Sequence, residues 1–345
     1  MQLTSNSRVA ILLQEGIKGI HGKTGLAFLR YSQTDTVAVI DSQTAGESLE
    51  SLTKIPRSVP IVKDVASALV YQPDILLIGI APSGGQLPAE LQAEIAIAVR
   101  AGLSIINGLH TPLQPLFDDL APDQEIWDIR QEPTGLAIAQ GKAQSLSARR
   151  ILTVGTDMAI GKMSASLELH RAAIKQGIKA KFVATGQAGI AIAGRGIPLD
   201  AVRVDFAAGA VEKAVLDIGK EQDLVIIEGQ GSLLHPGSTA TLPLIRGSQP
   251  TGLVLVHRAG AKQLRDLPDF HIPPLPAVIQ LYETVASAGG TFGSVKVKAI
   301  ALNTFGLDSA AAEAVIKSTT ETTGLPCSDV VRFGGAKILS AIYEK

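Results

Sequence analysis

The residues best suited to chemistry lie between Ile151 and Leu169. Ile151 to Val154 is a short apolar run, Gly155 and Gly161 bound a loop, and Lys162 opens a segment carrying Leu167 and Leu169. A strand, a glycine-bounded loop and a lysine at the head of a helix form the plan of a phosphate-binding P-loop. N–H groups of the loop and helix start face the anion, and the lysine adds a full positive charge. Five residues separate the two glycines where G-x-x-x-x-G-K-[ST] allows four, so the first glycine position falls on Thr156. After the lysine comes Met163, which has no hydroxyl to offer Mg²⁺, and Ser164 stands one place late. The candidate phosphate-binding residues are Gly155, Thr156, Asp157, Gly161, Lys162 and Ser164.

A second stretch runs from Asp223 through four apolar residues into Glu228, followed by Gly-Gln-Gly-Ser-Leu-Leu-His235. A carboxylate at the tip of such a strand sits across from a phosphate loop, where it can hold Mg²⁺ or position a nucleophile. A charge at a buried strand's tip is costly unless paired, which gives Glu228 a catalytic or metal-binding reading. His235 reads equally as an acid or base and as a hydrogen-bonded turn residue. Asn303 ends the run Val297 to Leu302, where P-loop proteins often place groups that contact adenine or guanine. Thr185-Gly-Gln187 follows a strand at Ala180 to Ala184, and Thr185 and Gln187 are candidate substrate contacts. Asp205 and Glu212 flank the start of a helix. There they could coordinate Mg²⁺ through water, bind a substrate amine, or compensate helix-end charge.

These groups need a frame, and alternating strands and helices supply it. Residues 1–147 read as a Rossmann-like doubly wound domain, with strands near Arg8 to Leu13, Val37 to Ile40, Pro60 to Val62, Ile75 to Ile80 and Leu103 to Asn107. Asp41 ends the second of these, where a ribose-binding carboxylate would sit. Gly16, Gly19, Gly22 and Gly25 recur every three residues and do not spell G-x-G-x-x-G, which argues against NAD; a tight turn and close helix–strand packing is the other reading. Gly84 and Gly85 follow the fourth strand, either letting a ligand approach the backbone or shaping a chain reversal. His110 follows the fifth as a candidate ligand contact. Gln140 to Arg150 reads as a solvated connection, so residues 148–345 form the second α/β domain. Within it Asp266 to Pro276, rich in proline and acid, reads as a surface loop.

The chain has 345 residues, of which 46% are hydrophobic, 18% charged and 4% aromatic, enough apolar material for two α/β cores. A formal net charge of −1 gives no electrostatic case for nucleic acid or an anionic membrane surface. One cysteine, Cys327, excludes an internal disulfide and a cysteine-based zinc site. The N-terminus lacks a signal-peptide pattern and no apolar run is long enough for a membrane helix, so a cytoplasmic protein is expected. An apolar chain with few charges is also expected to form a homo-oligomer.

Gly155-Thr-Asp-Met-Ala-Ile-Gly-Lys162 resembles the Gly-Thr-Asp-x-x-x-Gly-Lys-Thr loop of dethiobiotin synthetases, and Glu228-Gly-Gln-Gly resembles that family's Glu-Gly-x-Gly. Met163 departs from it and puts ordinary ATP hydrolysis in doubt. Nearly the whole chain resembles a two-domain family catalogued as a domain of unknown function, with a Rossmann-like first half and a P-loop second half carrying Gly-Lys-Met. Thr185-Gly-Gln, Asp205-Phe-Ala-Ala-Gly and Glu228-Gly-Gln-Gly-Ser-Leu-x-His-Pro carry that resemblance. Some members are described as D-glutamate N-acetyltransferases using acetyl-CoA. The resemblance implies an enzyme acting on a small amino or carboxylate metabolite, with Lys162 holding the phosphates of CoA and Glu228 or His235 taking a proton from the substrate amine. An ATP- and Mg²⁺-dependent ligase of dethiobiotin-synthetase type is the alternative, and a nucleotide sensor without turnover is a third.

Overall fold

A computed structural model describes residues 1, 3–4, 6–19, 21–81 and 87–344. The chain divides into two units: Met1–Glu132 with Gln187–Ala201, and Pro133–Gly186 with Val202–Lys345.

The first unit holds six strands, β1 (Arg8–Leu12), β2 (Asp35–Ile40), β3 (Ile61–Val62), β4 (Ile75–Ile78), β5 (Ser104–Asn107) and β6 (Ile126–Asp128). They pair in the order β3-β2-β1-β4-β5-β6, every pair parallel. This is the Rossmann order, and it reverses direction between β1 and β4. A parallel sheet needs strands apolar on both faces. Accordingly Val9 to Leu12 and Leu76 to Ile78 are fully buried. The helix Ala89–Arg100 turns Leu91, Ile95, Ala98 and Val99 inward, the spacing of an amphipathic helix on a sheet.

The second unit holds β7 (Arg149–Gly155), β8 (Ala180–Val183), β9 (Leu224–Ile227), β10 (Gly252–Arg258), the pair β11 (Gln263–Leu264) and β12 (Leu267–His271), β13 (Val297–Asn303) and β14 (Cys327–Ser328). Its main sheet is ordered β14-β13-β10-β7-β9-β8, again entirely parallel. The order reverses between β7 and β10, so ligands are expected outside the carboxyl ends of those strands. The glycine-bounded loop leaves β7 at that point, and the acid-tipped β9 is its immediate neighbour. Among the described residues no helix is long and apolar enough to cross a membrane.

One expectation changes and another gains detail. Leu267–His271, expected as surface loop, is a strand paired antiparallel with Gln263–Leu264. Its residues are mostly exposed, so no apolar pattern announced it. The polar stretch Gln140 to Arg150 is solvated along much of its length, with Gln140, Lys142, Gln144, Ser145, Ser147 and Arg149 exposed, and it is also anchored to the unit. Ala143 and Ala148 are buried, and Glu212 accepts hydrogen bonds from the N–H groups of Gln140 and Lys142. Glu212, inside the helix Val204–Gly219 rather than at its start, is therefore a clamp between that helix and this segment. Gly209 on the same helix faces Ala137 so closely that an added Cβ would lie 1.7 Å from the Ala137 carbonyl oxygen. In an exposed helix interior Gly→Ala gains about 1 kcal/mol. Gly209→Ala is expected instead to destabilise by about 1–3 kcal/mol through overpacking, read as a lower urea midpoint.

Candidate active site

The helix Lys162–Lys175 begins at Gly161, with φ +110, and no side chain caps its start. The N–H groups of Ala159, Ile160, Gly161, Lys162 and Met163 find no acceptor among the described residues. Ala159 also has a positive φ, +54. Alternating backbone hands of this kind form an anion-binding concavity, and the helix dipole adds to it. The loop thus has the amides that a phosphate requires.

Lys162 reaches back over this loop. It is 6% exposed, and its Nζ donates to the Asp157 carbonyl at 2.6 Å. Its stem passes between two close backbones: a Cβ on Gly155 would lie 3.2 Å from its Cδ, and one on Gly229 3.1 Å from it. Burial pushes the lysine down to about 8, against the charges of Asp157 and Glu228, which favour its protonated form. A ligand phosphate would add the negative charge this ammonium lacks.

The loop is held on all sides. The Thr156 N–H donates to Val256 O, and its hydroxyl meets His257 Nδ1 at 2.9 Å. Buried Asp157 accepts from Met158 N and from Arg265 N, fastening the β11–β12 turn to the loop. Asn303 Nδ2 donates to Ile160 O while its Oδ1 accepts from Phe305 N. Asn303 is therefore a brace between β13 and the loop. The Gly155 carbonyl accepts from both Ser232 Oγ and Tyr282 OH, at 2.8 and 2.7 Å.

Glu228 stands at the tip of β9, 2% exposed. Its Oε2 accepts from Thr185 N at 2.8 Å and Gly186 N at 3.2 Å, and its Oε1 from Gln230 Nε2 at 3.1 Å. Burial raises it to about 7, opposed by these hydrogen bonds and by the Lys162 charge. A carboxylate offers about four acceptor positions, so three are filled and one, on Oε1, is open. Mg²⁺ is poorly provided for: Glu228 has one free lone pair, the Asp157 carboxylate is engaged by the Met158 and Arg265 N–H groups, and half-buried Met163 stands where a hydroxyl would ligate.

The remaining candidates differ in their surroundings, with Thr185 adjoining Glu228. Ser164 is half-buried in the first helical turn, and Asp205 is exposed in the first turn of Val204–Gly219. His235 Nδ1 accepts from Gly237 N at 3.0 Å, which places the neutral ring's proton on Nε2. Thr185 belongs to the second unit, whereas Gln187 belongs to the first. Asp41 is fully buried with its carboxylate accepting from Glu15, Ile17 and Gln43 N–H groups. It closes the glycine-bearing loop, where a Cβ on Gly22 would lie 2.1 Å from Gly16 O. His110 is exposed and bonded to Arg130. Gly84 and Gly85 lie outside the described residues.

His257 and Tyr282 have no motif to announce them. His257 carries a pH signature: burial pushes it down to about 4. Between pH 6.5 and about 4 the unfolded chain takes up a proton that the folded chain refuses, so stability falls as pH falls, by up to about 3 kcal/mol. His257→Gln is expected to flatten that slope when urea midpoints at pH 7 and pH 5 are compared.

Comparison with known proteins follows the same lines. Residues 137–339 match the family described as "Domain of unknown function (DUF1611_C) P-loop domain", and residues 42–132 match "Domain of unknown function (DUF1611_N) Rossmann-like domain". A D-glutamate N-acetyltransferase of Pseudoalteromonas sp is 37% identical over 270 residues, 76% of this chain and 80% of that protein. Another from Tritonibacter scottomollicae is 35% identical over 273 residues, 77% and 80% of the two chains. The crystal structure of a DUF1611 family protein from Anabaena variabilis ATCC 29413 is 60% identical and superposes with a TM-score of 0.94, covering 99% of this chain and 100% of that one.

Proposed function

This chain belongs to the DUF1611 family, and we propose that it is an N-acetyltransferase moving the acetyl group of acetyl-CoA to the amine of D-glutamate or a related amino acid. The observation that carries the reading is the pairing of an uncapped, lysine-headed phosphate loop with a buried carboxyl group at about 7 on the neighbouring strand.

The loop amides and Lys162 bind the phosphates of CoA, and Lys162 regains the counter-charge that burial denies it. The substrate arrives as an ammonium ion. It gives one proton to solvent and presents a neutral amine to the open position on Glu228 Oε1. A base near 7 is well matched to that task at neutral pH. As the nitrogen attacks the thioester carbonyl, the N–C bond forms and Glu228 takes the second proton. When the C–S bond breaks, Glu228 returns that proton to the departing sulfur. The products are the N-acetyl amino acid and CoA thiol, with one proton released overall. His235, with its proton on Nε2, offers a donor rather than a base.

The relatives named as D-glutamate N-acetyltransferases support the choice of donor and acceptor. Met163 and the nearly filled Glu228 carboxylate weigh against the ATP–Mg²⁺ ligase. The test is direct: acetyl-CoA with D-glutamate should release free thiol in proportion to enzyme. Absence of thiol, with phosphate released from ATP on adding a carboxylate, would replace this reading with the ligase.

A further inference from the structure

We propose that the first unit carries its own carboxylate-binding site, centred on the Arg130 guanidinium and occupied in this structure by the side chain of Asp200. The site uses neither the phosphate loop nor Glu228, so it stands independently of the acetyl-transfer reading.

Arg130 lies two residues beyond β6 and His110 three beyond β5, at the carboxyl ends of parallel strands where open sheets bind ligands. The Arg130 side chain is only 11% exposed. A charge so far out of water requires partners. Its Nε donates to Gly108 O at 2.7 Å, and its Nη1 meets both His110 Nε2, at 2.9 Å, and Asp200 Oδ2. Its Nη2 has no partner among the described residues. A guanidinium is a planar fork built to hold a carboxylate at two points. Asp200 engages one prong only, and its own side chain is 45% exposed. An incoming carboxylate bound through two nitrogens replaces a one-point contact, while Asp200 returns to water at small cost.

The surroundings are rigid. Asp128 accepts from Asn107 Nδ2 and from the N–H groups of Leu113 and Gln114, and Asn107 Nδ2 also donates to Thr111 O. This fixes the turn that carries His110. Burial, and then the Arg130 charge, hold His110 below its ordinary pKa, so its ring is neutral. With Nε2 accepting from Arg130, the ring proton sits on Nδ1, a second donor for a ligand. The ligand class is a small carboxylate, an amino acid or a dicarboxylate.

The experiment titrates glutarate, D-glutamate and inorganic phosphate against the full chain without acetyl-CoA, following the His110 ring resonances and the heat of binding. Glutarate should give a saturable His110 shift. Asp200→Asn should tighten its binding about tenfold by removing the internal occupant, Arg130→Lys should weaken it about tenfold, and Arg130→Gln should abolish it. Three results would overturn the proposal: a His110 shift that survives Arg130→Gln, phosphate binding as tightly as glutarate, or Asp200→Asn lowering the melting temperature with no gain in affinity. The last would make the pair a structural clamp. Thiol release by the wild-type chain is unaffected by any of these outcomes, so the two readings fail separately.

Discussion

Lys162→Met is expected to leave the fold standing and to remove most of the stabilisation that acetyl-CoA confers. Methionine fills the channel between Gly155 and Gly229 with an unbranched side chain and carries no charge into it. The wild-type lysine is buried and held near 8, so its protonated form strains the unliganded protein. The sign follows: between about pH 8 and 10.5 the unfolded chain binds the proton more tightly, so wild-type stability rises with pH across that window. The amplitude is about 3 kcal/mol, and the methionine variant should lack the slope. The ligand effect runs the other way. At a thousand times its dissociation constant a ligand stabilises by about 4 kcal/mol. Losing a charge-assisted contact worth about 1.5–3 kcal/mol weakens binding by up to about a hundredfold. The stabilisation at the same concentration then drops to as little as about 1.4 kcal/mol. Thermal melting with and without acetyl-CoA reads this, and an unchanged ligand shift in the variant would remove the loop from binding.

Local patterns were readable where a local cause sufficed. The apolar runs before Gly155 and Glu228 are buried strands because a parallel sheet covered on both faces admits little else, and they dictate where the loop and the acid emerge. The turn–helix at Gly161 and Lys162 is equally local. Contacts made across the chain were not readable. Tyr282 reaches the Gly155 carbonyl from 127 residues away, and nothing in Leu275–Ala286 sets it apart from a core tyrosine. The same holds for Arg130 and Asp200, 70 residues apart, brought together because Gln187–Ala201 packs with the first unit although the second surrounds it in sequence. Asp205 is a different case: its place in a family-like stretch suggested a substrate contact, and the residue is exposed at a helix start. Spacing identifies a helix terminus and does not say which way it faces.

The two central ionisable groups share one physical situation. Burial pushes Lys162 down and Glu228 up, each toward neutrality, while each one's charge favours the charge of the other. A polyphosphate ligand would satisfy the lysine directly and so release Glu228 to act as a base. On the proposed reading, ligand binding and base strength would be linked through the Lys162 charge.

Glu228→Gln tests that base. Glutamine keeps an oxygen for the Thr185 and Gly186 N–H groups, and the Gln230 amide can rotate to meet the new NH₂, so the fold should be retained within about 1 kcal/mol. Proton transfer has no such substitute, and kcat should fall by about 10²–10⁴ with KM for acetyl-CoA little changed. In the wild type, kcat/KM should rise with pH and level off above about 7, as the carboxyl group ionises; the variant should lose that limb. Stability gives an independent reading with opposite slope. A carboxyl group raised from 4.5 to about 7 contributes stability below 4.5 that is lost as pH rises through 7, about 3 kcal/mol in all. Urea midpoints at pH 5 and pH 8 should therefore differ less in the glutamine variant than in the wild type. If kcat stays within threefold while that stability difference disappears, Glu228 is a buried clamp on Thr185 and the proton acceptor lies elsewhere.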